Sequence, residues 1–267
     1  VYGMHEKYRL NCLGNFKQLV KDMTIDPMML LFLNGATNNL YSPNENYARE
    51  LLELFTVGKG TQVGPGDYSN YTEADVAAGA KILTGWTVLD LYSSTASQPT
   101  NVFYPVLHDT SSKTLSAHFG SAVVPDAGDM EYSNYIDIIF SQPNMAKYLC
   151  RKIYRWFVNY ELTPSVESTV IADMAATLTS NNFEVLPVID QLLKSQHFYD
   201  ISLRGAIIKN PLEILFSMLN ASGSTPNYTV PVNYEIYLNL YYFSQVMGME
   251  YLRAPSVGGW TAYYQTP

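Results

Sequence analysis

The chain has 267 residues, with 16 Lys+Arg against 24 Asp+Glu and a formal net charge of -8. Its length suits one large domain or two small ones, and 47% hydrophobic residues exclude an intrinsically disordered chain. The acidic excess and the lack of a Lys/Arg block argue against nucleic acid as a partner. The longest apolar run, residues 28–33, is far shorter than the roughly 20 residues of a membrane-spanning helix. Two cysteines, Cys12 and Cys150, are too few for a disulfide framework.

Proline marks five predicted helix starts, because a proline in the first turn sacrifices no helical hydrogen bond. The five pairs are Asp26-Pro27, Ser42-Pro43, Gln142-Pro143, Thr163-Pro164 and Asn210-Pro211. Glu follows Ser42 and Asn210 at the third position, as in a reciprocal capping box. We expect a further helix from Thr72 to Gly85, and helical stretches over 5–23, 130–140, 184–196 and 233–248.

The sequence therefore predicts a mainly α fold, an irregular multi-helix domain with long loops that spans 1–267 as a single helical domain. The pattern changes over 86–128, where Ser, Thr, Pro and Gly separate short apolar runs. We expect a small β-hairpin excursion there, around residues 100–124. Residues 56–71 and 221–232 are predicted loops, and long excursions of this kind often carry function.

The predicted helix 44–55 divides into an apolar side and a polar side. At about 100° per residue the polar side collects Glu45, Asn46, Arg49, Glu50 and Glu53. Glu50 and Glu53 lie three residues apart, so they suit general acid/base chemistry or oxygen ligation of a hard cation. The alternative is a solvated or ion-paired face, since Glu45, Arg49 and Glu53 follow at four-residue spacing.

His108-Asp109 is the second candidate, in a loop that continues to Lys113 and His118. Adjacent His and Asp side chains can share a proton, orient a ligand or contribute to a metal site. Neither His108 with His118 nor the other two histidines forms a recognised zinc set. The alternative is a turn that Asp109 merely caps.

Lys147, Arg151 and Arg155 form a basic stripe at four-residue spacing. This stripe suits an anion-binding surface, or else a solvated face that supplies counterions to the acidic helix. The chain has no G-x-S-x-G motif, no P-loop and no G-x-G-x-x-G, which argues against a serine nucleophile of that type and against nucleotide chemistry.

Several sequence blocks, in order along the whole chain, resemble the bacterial family known as domain of unknown function 1800. The blocks are NENYARELLELF (44–55), YTEADV (71–76), LTGW (83–86), HD (108–109) with Lys113 and Gly120, RKIYRWFV (151–158), NPLE (210–213) and APSVGGW (254–260). One departure is Thr261, where the family usually has Pro. The resemblance also implies a fragment that lacks an N-terminal segment and a C-terminal end, so that a family metal site would lack some of its ligands here.

The resemblance implies an exported bacterial protein that is periplasmic, cell-surface or extracellular. Members of the family are often encoded beside proteins similar to sulfatases and phosphatases, which favours work on glycans or other anionic polymers. The expected partners are an extracellular glycan or an envelope protein. A divalent metal ion is the only cofactor that the residues suggest.

Two functions remain open at this point. In the first, the chain is a ligand-binding or hydrolase-like envelope protein with an acidic/His pocket. Its candidate catalytic residues are Glu50, Glu53, His108 and Asp109. Its candidate ligand-binding residues are Asn46, Arg49, Lys113, Arg151 and Trp86. In the second, the chain is a non-catalytic helical scaffold or a partner-binding domain, in which the same residues form buried ion pairs between helices.

Overall fold

The computed structural model describes residues 2–93, 98–223 and 231–260. These residues are mainly helical and carry three short antiparallel hairpins, which confirms the predicted fold class. They divide into two compact units: unit 1 comprises residues 1–154 and 162–198, and unit 2 comprises residues 155–161 and 199–267. That residues 1–267 form a single helical domain stays a prediction.

Unit 1 contains most of the helices, which lie along the chain as follows: α1 (Tyr2–Asn11), α2 (Phe16–Thr24), α3 (Pro27–Phe32), α4 (Glu45–Glu50), α5 (Glu73–Ile82), α6 (Glu131–Ser141), α7 (Pro143–Phe157), α8 (Pro164–Val166), α9 (Ala172–Ser180) and α10 (Val185–Lys194). The last residues of α7 belong to unit 2. Two wider π-helical segments continue these helices. Leu51–Thr56 extends α4, and Glu167–Ile171 joins α8 to α9.

The hairpins are two to four residues long on each side. They pair β1 (Gln62–Gly64) with β2 (Asp67–Tyr68), β3 (Trp86–Leu89) with β4 (Thr100–Phe103), and β5 (Lys113–Thr114) with β6 (Val123–Val124). The predicted excursion thus contains two hairpins and begins earlier than residue 100, since Trp86 pairs with Phe103. Residues 94–97 of this excursion lie outside the described part of the chain.

Local capping chemistry explains where several helices begin. The Asp26 side chain accepts from the Met28 N–H, and Thr72 and Asn210 each form a reciprocal capping box with the acid three residues later. The start predicted at Ser42-Pro43 is wrong. Helix α4 begins after Asn44, which accepts from the Asn46 N–H.

The stretch predicted as one helix over 5–23 is two helices. The chain turns after α1, and Asn15 caps α2 by accepting from the Gln18 N–H at 3.0 Å. The Asn15 amide also donates to the Asn182 carbonyl at 2.8 Å. A contact across 167 residues therefore fixes this break, which the local hydrophobic pattern cannot reveal.

Helices α4, α5 and α6 meet in the core of unit 1. Tyr47 and Ala48 of α4 and Tyr135 of α6 are buried. A Cβ atom at Gly79 of α5 would lie 2.7 Å from the Tyr135 hydroxyl and 3.0 Å from the Ala48 Cβ. The absence of a side chain at Gly79 therefore sets how closely the three helices approach.

Unit 2 contains α11 (Pro211–Ala221) and α12 (Pro231–Val246). Residues 224–230 of the predicted 221–232 loop lie outside the described part of the chain, as does Thr261. Within the described residues, no helix combines the length and the hydropathy needed to cross a bilayer. Cys12 is exposed and Cys150 is buried, and both are free thiols.

Candidate functional site

A sharp bend after α5 begins the candidate site. Thr84 is buried, and Gly85 adopts a φ of 92°, in the left-handed region that favours glycine. A Cβ at Gly85 would also lie 3.1 Å from the Tyr104 carbonyl oxygen and 3.2 Å from the His108 Cβ. Gly85 thus permits the His108 loop to pack directly against the end of α5.

The Thr84 backbone and side chain hold the His108 loop in place. The His108 Nδ1–H donates to the Thr84 carbonyl at 2.9 Å, and the Asp109 N–H donates to the Thr84 hydroxyl at 2.8 Å. A carbonyl oxygen can only accept, so this contact places a proton on Nδ1 and directs Nε2 away from the backbone. A histidine that binds a metal ion through one ring nitrogen usually donates a hydrogen bond from the other, often to a backbone carbonyl.

The Nε2 atom of His108 faces two carboxylates. It lies 3.0 Å from Glu131 Oε2 and 3.7 Å from Asp126 Oδ1. The second oxygen of Glu131 lies 2.6 Å from the Lys113 ammonium. His108, Glu131 and Lys113 are each at most 3% exposed, whereas the side chain of Asp126 is 43% exposed. The cluster is therefore buried at Glu131 and reaches water at Asp126.

The pKa of His108 is raised, although burial alone opposes the charged imidazolium. The hydrogen bond to Glu131 and the Thr84 carbonyl favour the proton and outweigh that burial, while Lys113 acts against it. The ring therefore holds either a proton or another cation between Nε2 and the two carboxylates.

His108, Asp126 and Glu131 form a group able to hold a metal ion. Each offers one ligand atom, and the three ligand atoms lie within 4.8 Å of one another. One imidazole nitrogen with two carboxylates suits zinc, manganese or iron better than calcium or magnesium. Three protein ligands leave a coordination position open, as in catalytic rather than structural zinc sites.

Asp109 stabilises a turn within its own loop. Its Oδ1 accepts from the Ser111 N–H at 2.8 Å and from the Ser111 hydroxyl, the arrangement of a capped turn. Burial raises the pKa of Asp109, but the Ser111 hydrogen bonds and the charge of Lys113 outweigh it and leave the pKa lowered. Asp109 is therefore an ionised carboxylate beside the cluster, 3.8 Å from the Lys113 ammonium.

Glu53 has partners of its own, and Glu50 lies close enough to feel its charge. Glu53 accepts from the Tyr71 hydroxyl at 2.8 Å and lies 3.5 Å from the Lys59 ammonium. Burial, and then the charge of Glu53, raise the pKa of Glu50. The described contacts of Glu53 and those of His108 involve different residues. That the two glutamates share a cavity with the His-Asp pair stays a prediction.

The candidate ligand-binding residues make contacts within the fold. Arg49 donates to both oxygens of Glu73 at 2.7 and 2.6 Å and pairs with Glu45 at 3.1 Å. The Asn46 amide donates to the Leu33 carbonyl at 3.1 Å. Their role in ligand binding stays a prediction.

Arg151 and Trp86, two further predicted ligand-binding residues, also make contacts within the fold. The Arg151 Nε lies 3.0 Å from both oxygens of Glu167, which therefore supplies its counterion. Trp86 packs against the rings of Phe103 and Tyr132, at 5.3 and 5.7 Å between ring centroids. Lys113, as described above, lies inside the buried cluster.

Thr84, Asp126 and Glu131 were not among the site residues predicted from the sequence. Glu131 opens α6 at the predicted helix start, 23 residues after His108, and an acid in a first helical turn is ordinary. Thr84 belongs to the recognised LTGW block, but its contact with the His108 ring is made by a backbone carbonyl, which any residue would offer, while its hydroxyl accepts from the Asp109 N–H. His118, in contrast, lies 3.0 Å from Asp67 and so contacts a different acid.

A comparison with protein-family models matches residues 2–266 to the family described as "Protein of unknown function (DUF1800)". Comparisons with curated proteins and with solved structures gave no match.

Proposed function

The chain belongs to the DUF1800 family, and we propose that it is a ligand-binding or hydrolase-like protein of the bacterial envelope that works through a divalent cation. The observation that carries this proposal is the orientation of His108. Its Nδ1 is fixed by the Thr84 carbonyl, and its Nε2 points at Glu131 and Asp126. We name His108, Asp126 and Glu131 the cation site.

The charges around His108 also support a cation. With a neutral imidazole, the carboxylates of Asp109, Asp126 and Glu131 outnumber the cations that act on them, which among the described residues are Lys113 and, for Asp109, also Lys81. A divalent cation at Nε2 would offset this excess of negative charge. Buried charges that lack such compensation are costly.

The exposure of Asp126 supports access from water. The opposite end of the cation site is closed, since Glu131 is fully buried. A cation held by these three residues would keep its open coordination position on the solvent side, where a polar ligand or a hydrolysable bond can approach. The proposal also includes export and a glycan or envelope partner. These two parts rest on the family resemblance alone.

The test is metal binding by isothermal titration calorimetry with Zn²⁺ and Mn²⁺ after treatment with a chelator. We expect one equivalent to bind, and the Asp126→Asn variant to lose about tenfold or more in affinity, because removal of a direct ligand should cost at least as much as the removal of an outer-shell partner. Asp129→Asn is the matched control, because Asp129 is an exposed acid of the same segment outside the cation site. Equal binding by wild type and Asp126→Asn would exclude the site.

The second candidate is a helical scaffold. It is favoured by the full burial of Glu131 between Lys113 and His108, which also fits an internal ion-pair network that connects the loop to α6. In that case the protonated His108 ring supplies a positive charge in addition to that of Lys113. The chain then binds neither Zn²⁺ nor Mn²⁺ in the titration.

A further inference from the structure

A cavity of about 630 Å³ is lined by residues of unit 2, none of which belongs to the cation site. Its volume falls in the range of roughly 300–1,000 Å³ that is usual for small-molecule sites. It is lined by the end of α7, the segment before α11 and one side of α11, together with Trp260.

The cavity wall is rich in aromatic rings. Trp156 and Trp260 line it together with Phe216, so that two of the three tryptophans in the chain are in this one place. Trp156 and Phe216 are exposed, although large aromatic side chains normally gain most by burial. Rings presented in this way are suited to stack against a flat ligand face.

The same wall carries positive charge. Unit 2 has four Lys/Arg residues, at positions 155, 204, 209 and 253, and two of them, Arg155 and Lys209, line the cavity. The one acid on the wall, Glu213, is engaged in the α11 capping box, where it accepts from the Asn210 N–H at 2.9 Å. The exposed amide of Asn220 adds a neutral hydrogen-bonding group.

We propose that this cavity binds an acidic saccharide, a pyranose ring that carries a carboxylate. The apolar face of the ring stacks on Trp156 or Trp260, the carboxylate is held by Arg155 and Lys209, and the ring hydroxyls bond to amides such as Asn220. Arg155 donates to the Tyr160 carbonyl at 3.2 Å and Lys209 to the Ser217 hydroxyl at 3.4 Å, and both of these acceptors are neutral. A neutral sugar would therefore not use the charge of the two cations, and a simple anion would leave the aromatic wall unused. The proposal concerns unit 2 and does not rest on the cation site.

The test uses the full chain and intrinsic tryptophan fluorescence. In the background Trp86→Phe, the remaining tryptophans are Trp156 and Trp260, both of the cavity. We expect trigalacturonate to change this fluorescence saturably, and its methyl ester, which keeps the rings but not the charge, to bind about tenfold more weakly. Sodium acetate at equal ionic strength should have no effect. Chelator is present throughout, so that failure of the cation site cannot change the result.

Variants then separate ring stacking from the charge contacts, and the binding of both sugars to each variant is measured by calorimetry. Trp156→Ala should lower the affinity for both sugars about tenfold, as loss of an aromatic anchor does. Arg155→Met and Lys209→Met should lower the affinity for trigalacturonate only. Lys194→Met is the matched control, because Lys194 is an exposed lysine of unit 1. The proposal is overturned if trigalacturonate does not bind at millimolar concentration, or if ester and acid bind equally.

Discussion

Glu131 is the residue on which the buried cluster depends. Both of its oxygens face positively charged or protonated groups, His108 at 3.0 Å and Lys113 at 2.6 Å, and none of its side chain is exposed. Removal of one partner from a buried pair leaves the others charged and desolvated. The loss is therefore larger than the net contribution of the intact pair.

We expect Glu131→Gln to lower the free energy of unfolding by about 3–5 kcal/mol, the usual cost of an uncompensated buried charge. The measurement is chemical denaturation in the presence of chelator. Asp126→Asn is the comparison, since the side chain of Asp126 is 43% exposed and lies 3.7 Å from the His108 ring. Its effect should stay below about 1 kcal/mol, as for surface ion pairs. Equal effects of the two variants would contradict the burial described here.

The sequence revealed only part of this cluster. His108, Asp109 and Lys113 were visible as neighbours in one loop, because local spacing shows which residues share a turn. Glu131 and Asp126 were not, because their approach to His108 depends on how α6 packs against the loop. Burial was expected only under the scaffold alternative, in which the candidate residues form buried ion pairs, because a lysine such as Lys113 is rarely found fully covered.

At the scale of elements, capping chemistry predicted helix starts well where the caps are local. Asp26, Thr72 and Asn210 cap as expected. Ser42 does not, because it lies in a separate turn, in which its N–H donates to the Asn39 carbonyl at 3.1 Å, and the helix begins only after Asn44. The widening of the helix at Leu51–Thr56 carries no sequence signal that we recognised.

Gly79 offers a test of the packing between α4, α5 and α6. Alanine favours a helix over glycine by about 1 kcal/mol, yet a Cβ here would lie 2.7 Å from the Tyr135 hydroxyl. We expect Gly79→Ala to destabilise the protein by about 1–3 kcal/mol, because overpacking outweighs propensity in a tight core. Thermal and chemical unfolding measure the difference.

Tyr135→Phe provides the internal control for that prediction. The Tyr135 hydroxyl has no hydrogen-bond partner among the described residues, so its removal should cost little or stabilise. In the double variant Gly79→Ala/Tyr135→Phe, the hydroxyl oxygen closest to the new Cβ is absent. The loss of stability caused by Gly79→Ala should therefore be clearly smaller in this background. Additive effects in this double-mutant cycle would show that the hydroxyl is not the obstacle.

At the scale of the whole molecule, carboxylates paired with cations determine how stability responds to acid. Arg49 donates two hydrogen bonds to Glu73, and these, opposed by partial burial, lower the pKa of Glu73. Burial of Asp137 raises its pKa, but the hydrogen bonds from Lys21 and Lys17 outweigh this effect and leave the pKa lowered. Both pairs lie in unit 1.

The sign of the pH dependence follows from these lowered pKa values. A carboxylate with a lower pKa in the folded state binds fewer protons there than in the unfolded chain. Its contribution to stability is therefore fully present above the ordinary pKa of about 4 and disappears as the pH falls through the lowered value. We expect the melting temperature to fall steadily below about pH 4.5 and to vary less between pH 5 and 7 on account of these groups.

Glu73→Gln tests which group is responsible. At pH 7 the variant loses its pair with Arg49, so its melting temperature should be slightly lower than that of the wild type, by no more than a surface pair provides. Below the lowered pKa the wild-type Glu73 is itself protonated and neutral, and the two melting curves should converge. Asp137→Asn should behave in the same way through Lys17 and Lys21. A gap between variant and wild type that stays constant down to pH 3 would mean that the lost stability comes from packing, because only an ionic contribution disappears when the carboxylate takes up its proton.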